Sequence, residues 1–179
     1  MEDPALHGQP GSEYSRAIQP IRQLELERRT DGHAMSGARE NAYWVGFDLG
    51  GTKMLATVFD AAFQPVARKR RKTRGREGAA PGPERVADTI RLTLEAAGVR
   101  PSQLGGIGVG CPGPLDLEAG IVLEAPNLGW TNAPLKELLE GELQCPAVIL
   151  NDVDAGVYGE YRFGAGQGAR CLVGVFPGT

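Results

Sequence analysis

Tyr43-Trp-Val-Gly-Phe-Asp-Leu-Gly-Gly-Thr-Lys-Met-Leu-Ala-Thr-Val-Phe-Asp60 decides how the rest of the chain is read. Two apolar, β-branched segments flank a tight turn built from Gly50, Gly51 and Thr52, with Asp48 entering it and Lys53 leaving it. Glycines let the backbone bring its N–H groups close to a ligand with no side chain in the way. Converging N–H groups make an anion nest, to which a Thr hydroxyl and a Lys add a donor and a charge. Met54 to Phe59 alternates as a second strand, not a helix. The turn carries neither a dinucleotide fingerprint nor a Walker loop, both of which lead into a helix. The unit is therefore strand–turn–strand, a hairpin with a phosphate-sized tip. An acid beside such a nest suits a hydrated Mg²⁺ better than a bare phosphate.

Outward from the hairpin, composition sets bounds. The chain has 179 residues, which fits one domain, or a tail plus one lobe of something larger. Its 26 glycines, roughly twice the usual share, sit beside hydrophobic strands and mark tight turns. A net charge of −3 gives no electrostatic reason to expect nucleic acid. No apolar run approaches the ~20 residues of a membrane span, and the N-terminus lacks the features of a signal peptide. Cys111, Cys145 and Cys171 are far apart and form no C-x-x-C pair, which points to reduced thiols in the cytoplasm. The only histidines are His7 and His33, and past residue 36 the only serine is Ser102. A Ser-His-Asp hydrolase or a His-ligated metal centre cannot be assembled from such a set. The chemistry must run on carboxylates, amides, Thr, Lys and backbone.

Residues 1–41 are polar, with scattered Gly and Pro, and read as a disordered tail; residues 42–179 read as the folded lobe. Met35 is an alternative start, in which case a chain beginning there should melt at an unchanged temperature. Gln64 to Thr73 reads as a third strand running into a basic loop. Arg68 to Arg76 holds seven basic residues in nine. With no aromatic interleaved, it reads as a solvated edge strand and not a nucleic-acid patch. Pro83 to Ala97 reads as a helix stopped by Gly98, with Val86, Ile90 and Leu94 on its apolar face. Leu104 to Cys111 is a buried strand thinned by glycines that turns at Pro112-Gly-Pro114. Ile121 to Leu123 is a short strand, Glu124 to Trp130 an irregular loop, Pro134 to Leu143 a helix, and Ala147 to Leu150 a buried strand. Asp154 is the expected N-cap of a helix through Arg162, ended by Gly164, Gly166 and Gly168. Cys171 to Phe176 reads as a last strand. A hairpin first and strand–helix alternation after it give a mixed α/β sheet.

Four separated stretches resemble the N-terminal lobe of the ROK family (repressors, open reading frames and sugar kinases), most nearly its bacterial glucokinases. Asp48-Leu-Gly-Gly-Thr-Lys53 is similar to the family's first phosphate loop. Gly106-Ile-Gly-Val-Gly-Cys-Pro-Gly-Pro114 with Ala125-Pro-Asn-Leu-Gly-Trp130 is similar to its sugar-side loops. Leu150-Asn-Asp-Val-Asp-Ala-Gly-Val-Tyr-Gly-Glu160 is similar to its catalytic strand-to-helix segment, and Gly174-Val-Phe-Pro-Gly-Thr179 to the start of its second phosphate loop. The resemblance implies the ribonuclease-H-like, actin-type ATPase fold, in which two lobes close on ATP, Mg²⁺ and a sugar. It also implies that the sugar-binding His and Glu, a Cys/His zinc motif and the adenosine-binding lobe lie beyond Thr179, so that this chain is a fragment inactive alone.

Phosphoryl transfer needs positioning, charge stabilisation and a base for the attacking hydroxyl. By the resemblance Asp152 is that base, Asn151 hydrogen-bonds the sugar, and Asn127 and Gly113 line its pocket. Asp48 orients Mg²⁺ through water without a direct protein ligand. Gly50, Gly51, Thr52, Lys53, Gly178 and Thr179 approach the phosphates of ATP. Trp130 is expected to pack and not to stack on sugar. Family members commonly carry Asn where this chain has Asp154. Glucose phosphorylated at its 6-hydroxyl is the implied reaction. Another hexose or an N-acetylated amino sugar, and a sugar-responsive transcriptional repressor, remain alternatives. Relatives are often dimers or tetramers, which leaves oligomeric state open.

Overall fold

The computed structural model describes residues 43–73 and 82–176, so the tail reading of residues 1–41 and the roles given to Gly178 and Thr179 lie outside the described residues. The opening stretch forms the expected hairpin. Strands β1 (Tyr43–Leu49) and β2 (Lys53–Phe59) pair antiparallel, closing at Leu49 opposite Met54. Strand β3 (Pro65–Lys72) continues antiparallel at the sheet edge, a place that suits its unbroken run of cations.

Helix α1 (Gly82–Ala97) buries Val86, Ile90 and Leu94 at four-residue spacing. Its end is a Schellman motif: Gly98, at φ 65, donates to Glu95 O, and Val99 donates to Leu94 O at 3.0 Å. The chain then returns through a 3-10 turn at Pro101–Gln103 into β4 (Leu104–Cys111), parallel to β1. A second parallel strand, β8 (Ala147–Asn151), pairs with β4 and completes a five-stranded sheet in the order β3-β2-β1-β4-β8. Between them lie β5 (Leu115–Asp116), β6 (Ile121–Ala125), β7 (Trp130–Ala133) and helix α2 (Leu135–Leu143). Helix α3 (Asp152–Phe163) follows β8 directly.

Alternation assigns the two faces of the main sheet. Phe47, Leu49, Met54, Ala56, Val109 and Ile149 point to one side, where α1 and α2 cover them to make the core. Arg91 of α1 pairs with Glu142 of α2 across the top of that layer. The other side of β4 is almost all glycine. A methyl placed on Gly110 would touch Asp152 Cα and Ala155 Cβ at 3.5 Å, so α3 rests on this second face. Trp44 lies close over Gly105 and Gly106 on the same side.

Three expectations need correction. The stretch Glu124 to Trp130 is not an irregular loop: β5, β6 and β7 form a small antiparallel sheet, and Pro126 to Gly129 is the tight turn between β6 and β7. These strands are too short to show alternation in the sequence. The N-cap of α3 is Asn151, whose side chain accepts from Val153 N at 3.0 Å, and Asp154 sits in the first turn. Finally, Cys171 to Phe176 forms no strand. Among the described residues no strand lies alongside to pair with it, and Val173 and Val175 are left 80% and 82% exposed. Among the described residues no helix is long and apolar enough to cross a membrane.

Ile90 is fully buried at the centre of α1's apolar face. Ile90→Ala is expected to cost about 2–5 kcal/mol in a urea unfolding experiment, because the helix cannot collapse into the hole it leaves.

Candidate active site

Parallel strands β1, β4 and β8 end side by side, and their register sets Asp48, Gly110 and Leu150 in one row across the sheet. In open α/β sheets the carboxyl ends of such strands are where ligands bind. Asp48 is the last residue of β1 to point to the α3 face, and it is exposed. One step past β8, Asp152 opens α3 on that same face, also exposed.

Asp48 feels the charge of Asp152. Partial burial, then the charge of Asp152, push the Asp48 carboxyl above its ordinary range, while Arg70 of β3 acts in the opposite direction. Cys111, at the end of β4 and fully buried, lies close enough to Asp152 to feel it as well. Burial first, and Asp152 second, push its thiol up to about 12, so it stays neutral. Asn151 and Asp152 both turn an oxygen to Val153 N at 3.0 Å. Capping therefore occupies Asn151 Oδ1 and leaves its NH₂ as the group able to donate elsewhere.

Beside Asp48 stands the hairpin tip. Gly50 N donates to Lys53 O at 3.0 Å, and a side chain on Gly50 would meet that carbonyl at 2.9 Å. The tip is anchored by a residue that no local pattern singles out. Thr73, only 4% exposed, donates through Oγ1 to Gly50 O at 2.6 Å and through N to Thr52 O at 2.9 Å. With both carbonyls held from behind, Gly51, Thr52 and Lys53 are presented to solvent. No local motif marks Thr73, because its partners are more than twenty residues away.

The sugar-side loops named by the resemblance come to the same place. A methyl on Gly51 would stand 3.0 Å from Asn127 Cβ, so the turn between β6 and β7 touches the hairpin tip. Gly113, at φ 100, packs so tightly against β6 that a Cβ would fall 2.1 Å from Glu124 O, and only glycine fits. Gly108, Gly110 and Gly113 carry the spacing of a dinucleotide fingerprint. They lie in β4 and in the turn to β5, not at a helix N-terminus, and cannot serve as one. Trp130 is buried in the small sheet, as a packing residue should be. The described residues thus bring together Asp48, the Gly50–Lys53 turn, Asn127 and Asp152. An exposed acid beside an open backbone turn and a lysine fits a hydrated Mg²⁺ with its phosphates in charge and donor type.

Similarity to known proteins identifies the family. The model of the ROK family matches residues 44–179. A glucokinase of Halalkalibacterium halodurans is 33% identical over 137 residues, covering 76% of this chain and 42% of that protein. The crystal structure of a ROK family glucokinase from Streptomyces griseus in complex with glucose and AMPPNP superposes with a TM-score of 0.58 at 34% identity, over 71% of this chain and 38% of that one. A xylose repressor of Caldicellulosiruptor bescii is 40% identical over 77 residues, 43% of this chain and 19% of the repressor. The chain spans about 40% of the length of the curated glucokinases it matches.

Two outcomes follow from the geometry. Thr73→Val removes the donor to Gly50 O and should cost about 1–3 kcal/mol in urea unfolding, with Thr73→Ser restoring most of it. A folded state that raises the Asp48 pKa holds that proton more tightly than the unfolded chain does. The ionised carboxylate therefore counts against stability at neutral pH, an effect that fades as pH falls through the raised value and is gone below the ordinary 3.8. Asp48→Asn should raise the urea midpoint at neutral pH and lose that advantage in acid.

Proposed function

The chain belongs to the ROK family, and from that premise we propose that it is the acceptor- and phosphate-binding lobe of an ATP-dependent sugar kinase that phosphorylates glucose at its 6-hydroxyl. The observation that carries this reading is the convergence of Asp152, Asp48, Asn127 and the Gly50–Lys53 turn at the carboxyl ends of β1, β4 and β8. The glucose and AMPPNP bound to the Streptomyces griseus relative support both the sugar and the nucleotide.

In this reading the sugar sits between the turn after β6 and the start of α3, against Asn127 and Gly113, with the Asn151 NH₂ donating to a neighbouring hydroxyl. Asp152 takes the proton of the attacking hydroxyl. Its place at a strand-to-helix junction holds the carboxylate rigidly while leaving it open to the cleft. The exposed N–H groups of Gly51 and Thr52, the Thr52 hydroxyl and Lys53 stabilise charge on the transferred phosphate. Asp48 would hold a hydrated Mg²⁺ through water, and Gly178 and Thr179 would add further contacts to the phosphates. MgATP, when bound, supplies the phosphoryl group and offsets its charge. Because Gly51 lies against Asn127, the sugar and phosphate sides of the proposed site adjoin.

The identity to a xylose repressor favours a second reading, a sugar-responsive regulator that keeps this lobe as a sensor. Turnover separates the two. In a coupled assay on this chain extended to the length of its glucokinase relatives, glucose, ATP and Mg²⁺ should give steady product. Asp152→Ala should lower kcat by a factor of about 10²–10⁴, the usual worth of a general base, with an unchanged melting temperature. Product formation unaltered by Asp152→Ala sinks the mechanism. No turnover, together with salt-resistant operator binding, selects the regulator.

A further inference from the structure

Helix α1 and the small sheet meet at Gly82. A Cβ built on this first residue of α1 would land inside the indole of Trp130, on Nε1, Cε2 and Cζ2. Gly82 is not among the glycines with positive φ, so what suits it to this place is the missing side chain and not backbone freedom. Trp130 is 8% exposed and opens β7 opposite Ala125, the last residue of β6. Between those two residues runs the Pro126–Gly129 turn, closed by Leu128 N on Ala125 O at 2.9 Å and Gly129 N on Pro126 O at 3.2 Å. Leu128 is buried beneath the turn, and Asn127 is exposed on it.

Among the described residues no strand of the small sheet pairs with a strand of the main sheet. Side-chain packing therefore sets where this turn stands. Val86, Ile90 and Leu94 root α1 in the main core, which makes its first residue a firm seat for the indole. On the other side of the turn, Asn127 Cβ lies 3.0 Å from the place a Gly51 Cβ would take. Asn127 thus has a limit on each side. Gly51 blocks movement toward the hairpin tip, and Trp130 on Gly82 fixes the base from which the turn projects.

We propose that Trp130, seated on Gly82, is a positioning residue for the sugar, setting through the Pro126–Gly129 turn the place from which Asn127 meets a sugar hydroxyl. The assignment rests on the reading of Asn127 as a sugar-pocket residue. A contact made equally with the bound sugar and with the transition state alters KM and leaves kcat unchanged. A residue that only held the fold together would lower the active fraction, and with it the apparent kcat, at an unaltered KM.

The test is a size swap in the chain extended to the length of its glucokinase relatives, with KM and kcat from the coupled assay and glucose Kd from calorimetry. Gly82→Ala pushes the indole off its seat and should raise glucose KM and Kd by about tenfold, with kcat and the KM for ATP within about twofold of the parent. Trp130→Phe introduces no clash and should by itself raise glucose KM about threefold, so the outcome does not depend on the folding of Gly82→Ala. In the double variant the smaller ring makes room for the new methyl, and KM should return to the level of Trp130→Phe alone. Gly82→Ala or Trp130→Phe with parental glucose affinity overturns the proposal. So does a loss of kcat at constant KM, or a double variant in which the two effects multiply. Calorimetry keeps this inference apart from the kinase reading. Glucose binding that follows the size swap in a chain without turnover retains the positioning role and removes the kinase. Turnover indifferent to the swap does the reverse, and a parent that binds no glucose removes both.

Discussion

Backbone pairing of β1 on both of its edges is the constraint on which the rest depends. Antiparallel pairing with β2 forces a tight turn right after Leu49, and parallel pairing with β4 fixes where the chain leaves the sheet toward β5. A one-residue slip in either ladder would turn Asp48 to the α1 side and drive Phe47 and Leu49 out of the core. The burial of that apolar face therefore determines the register, and the register determines which side of the sheet carries chemistry. β8 completes the arrangement by ending level with β4, at Asn151 opposite Cys111, so that α3 begins beside the hairpin tip.

The two faces of the sheet show a division of labour written in side-chain size. On the α1 and α2 side, Leu, Val, Ile, Met and Phe fill a closed core. On the α3 side, Gly46, Gly106, Gly108 and Gly110 leave the backbone nearly bare. Two large side chains on that face, Trp44 and Phe59, lie close over their glycine neighbours. A bare surface lets α3 start close to β4 and places Asp152 near Asp48. It also brings two carboxylates together at a cost in ionisation, as the raised Asp48 pKa shows. Arg70 and, in the proposed function, a hydrated Mg²⁺ are the charges that offset it.

Local signals were legible in the sequence wherever one residue had a local job. The hairpin was visible from its glycines, α1 from its four-residue spacing and Gly98, and the β3 edge from a run of cations with no aromatic among them. The family resemblance then led to Asn127 and Asp152, and the structure places both next to the tip or the acid already found there. What could not be read was decided by partners distant in the chain. Thr73 is defined only by the two carbonyls it holds. The β5–β6–β7 sheet exists because its short strands pair with one another, and none shows a period of its own. Asn151 and Asp154 are both good caps by chemistry; pairing of β8 through Asn151 decides between them. Cys171 to Phe176 has a strand's composition without a neighbouring strand to pair with among the described residues.

In the proposed function Asp152 and the Gly50–Lys53 turn face one another across a site that takes a sugar on one side and a phosphate on the other. A crystal structure of the chain extended to its relatives' length, with glucose and a non-hydrolysable ATP analogue, tests it most directly. The proposed mechanism predicts the sugar's 6-hydroxyl within about 2.6–3.2 Å of an Asp152 oxygen. It also predicts the terminal phosphate on the amides of Gly51 and Thr52. A sugar bound away from Asp152, or phosphates that leave the hairpin tip untouched, would contradict it.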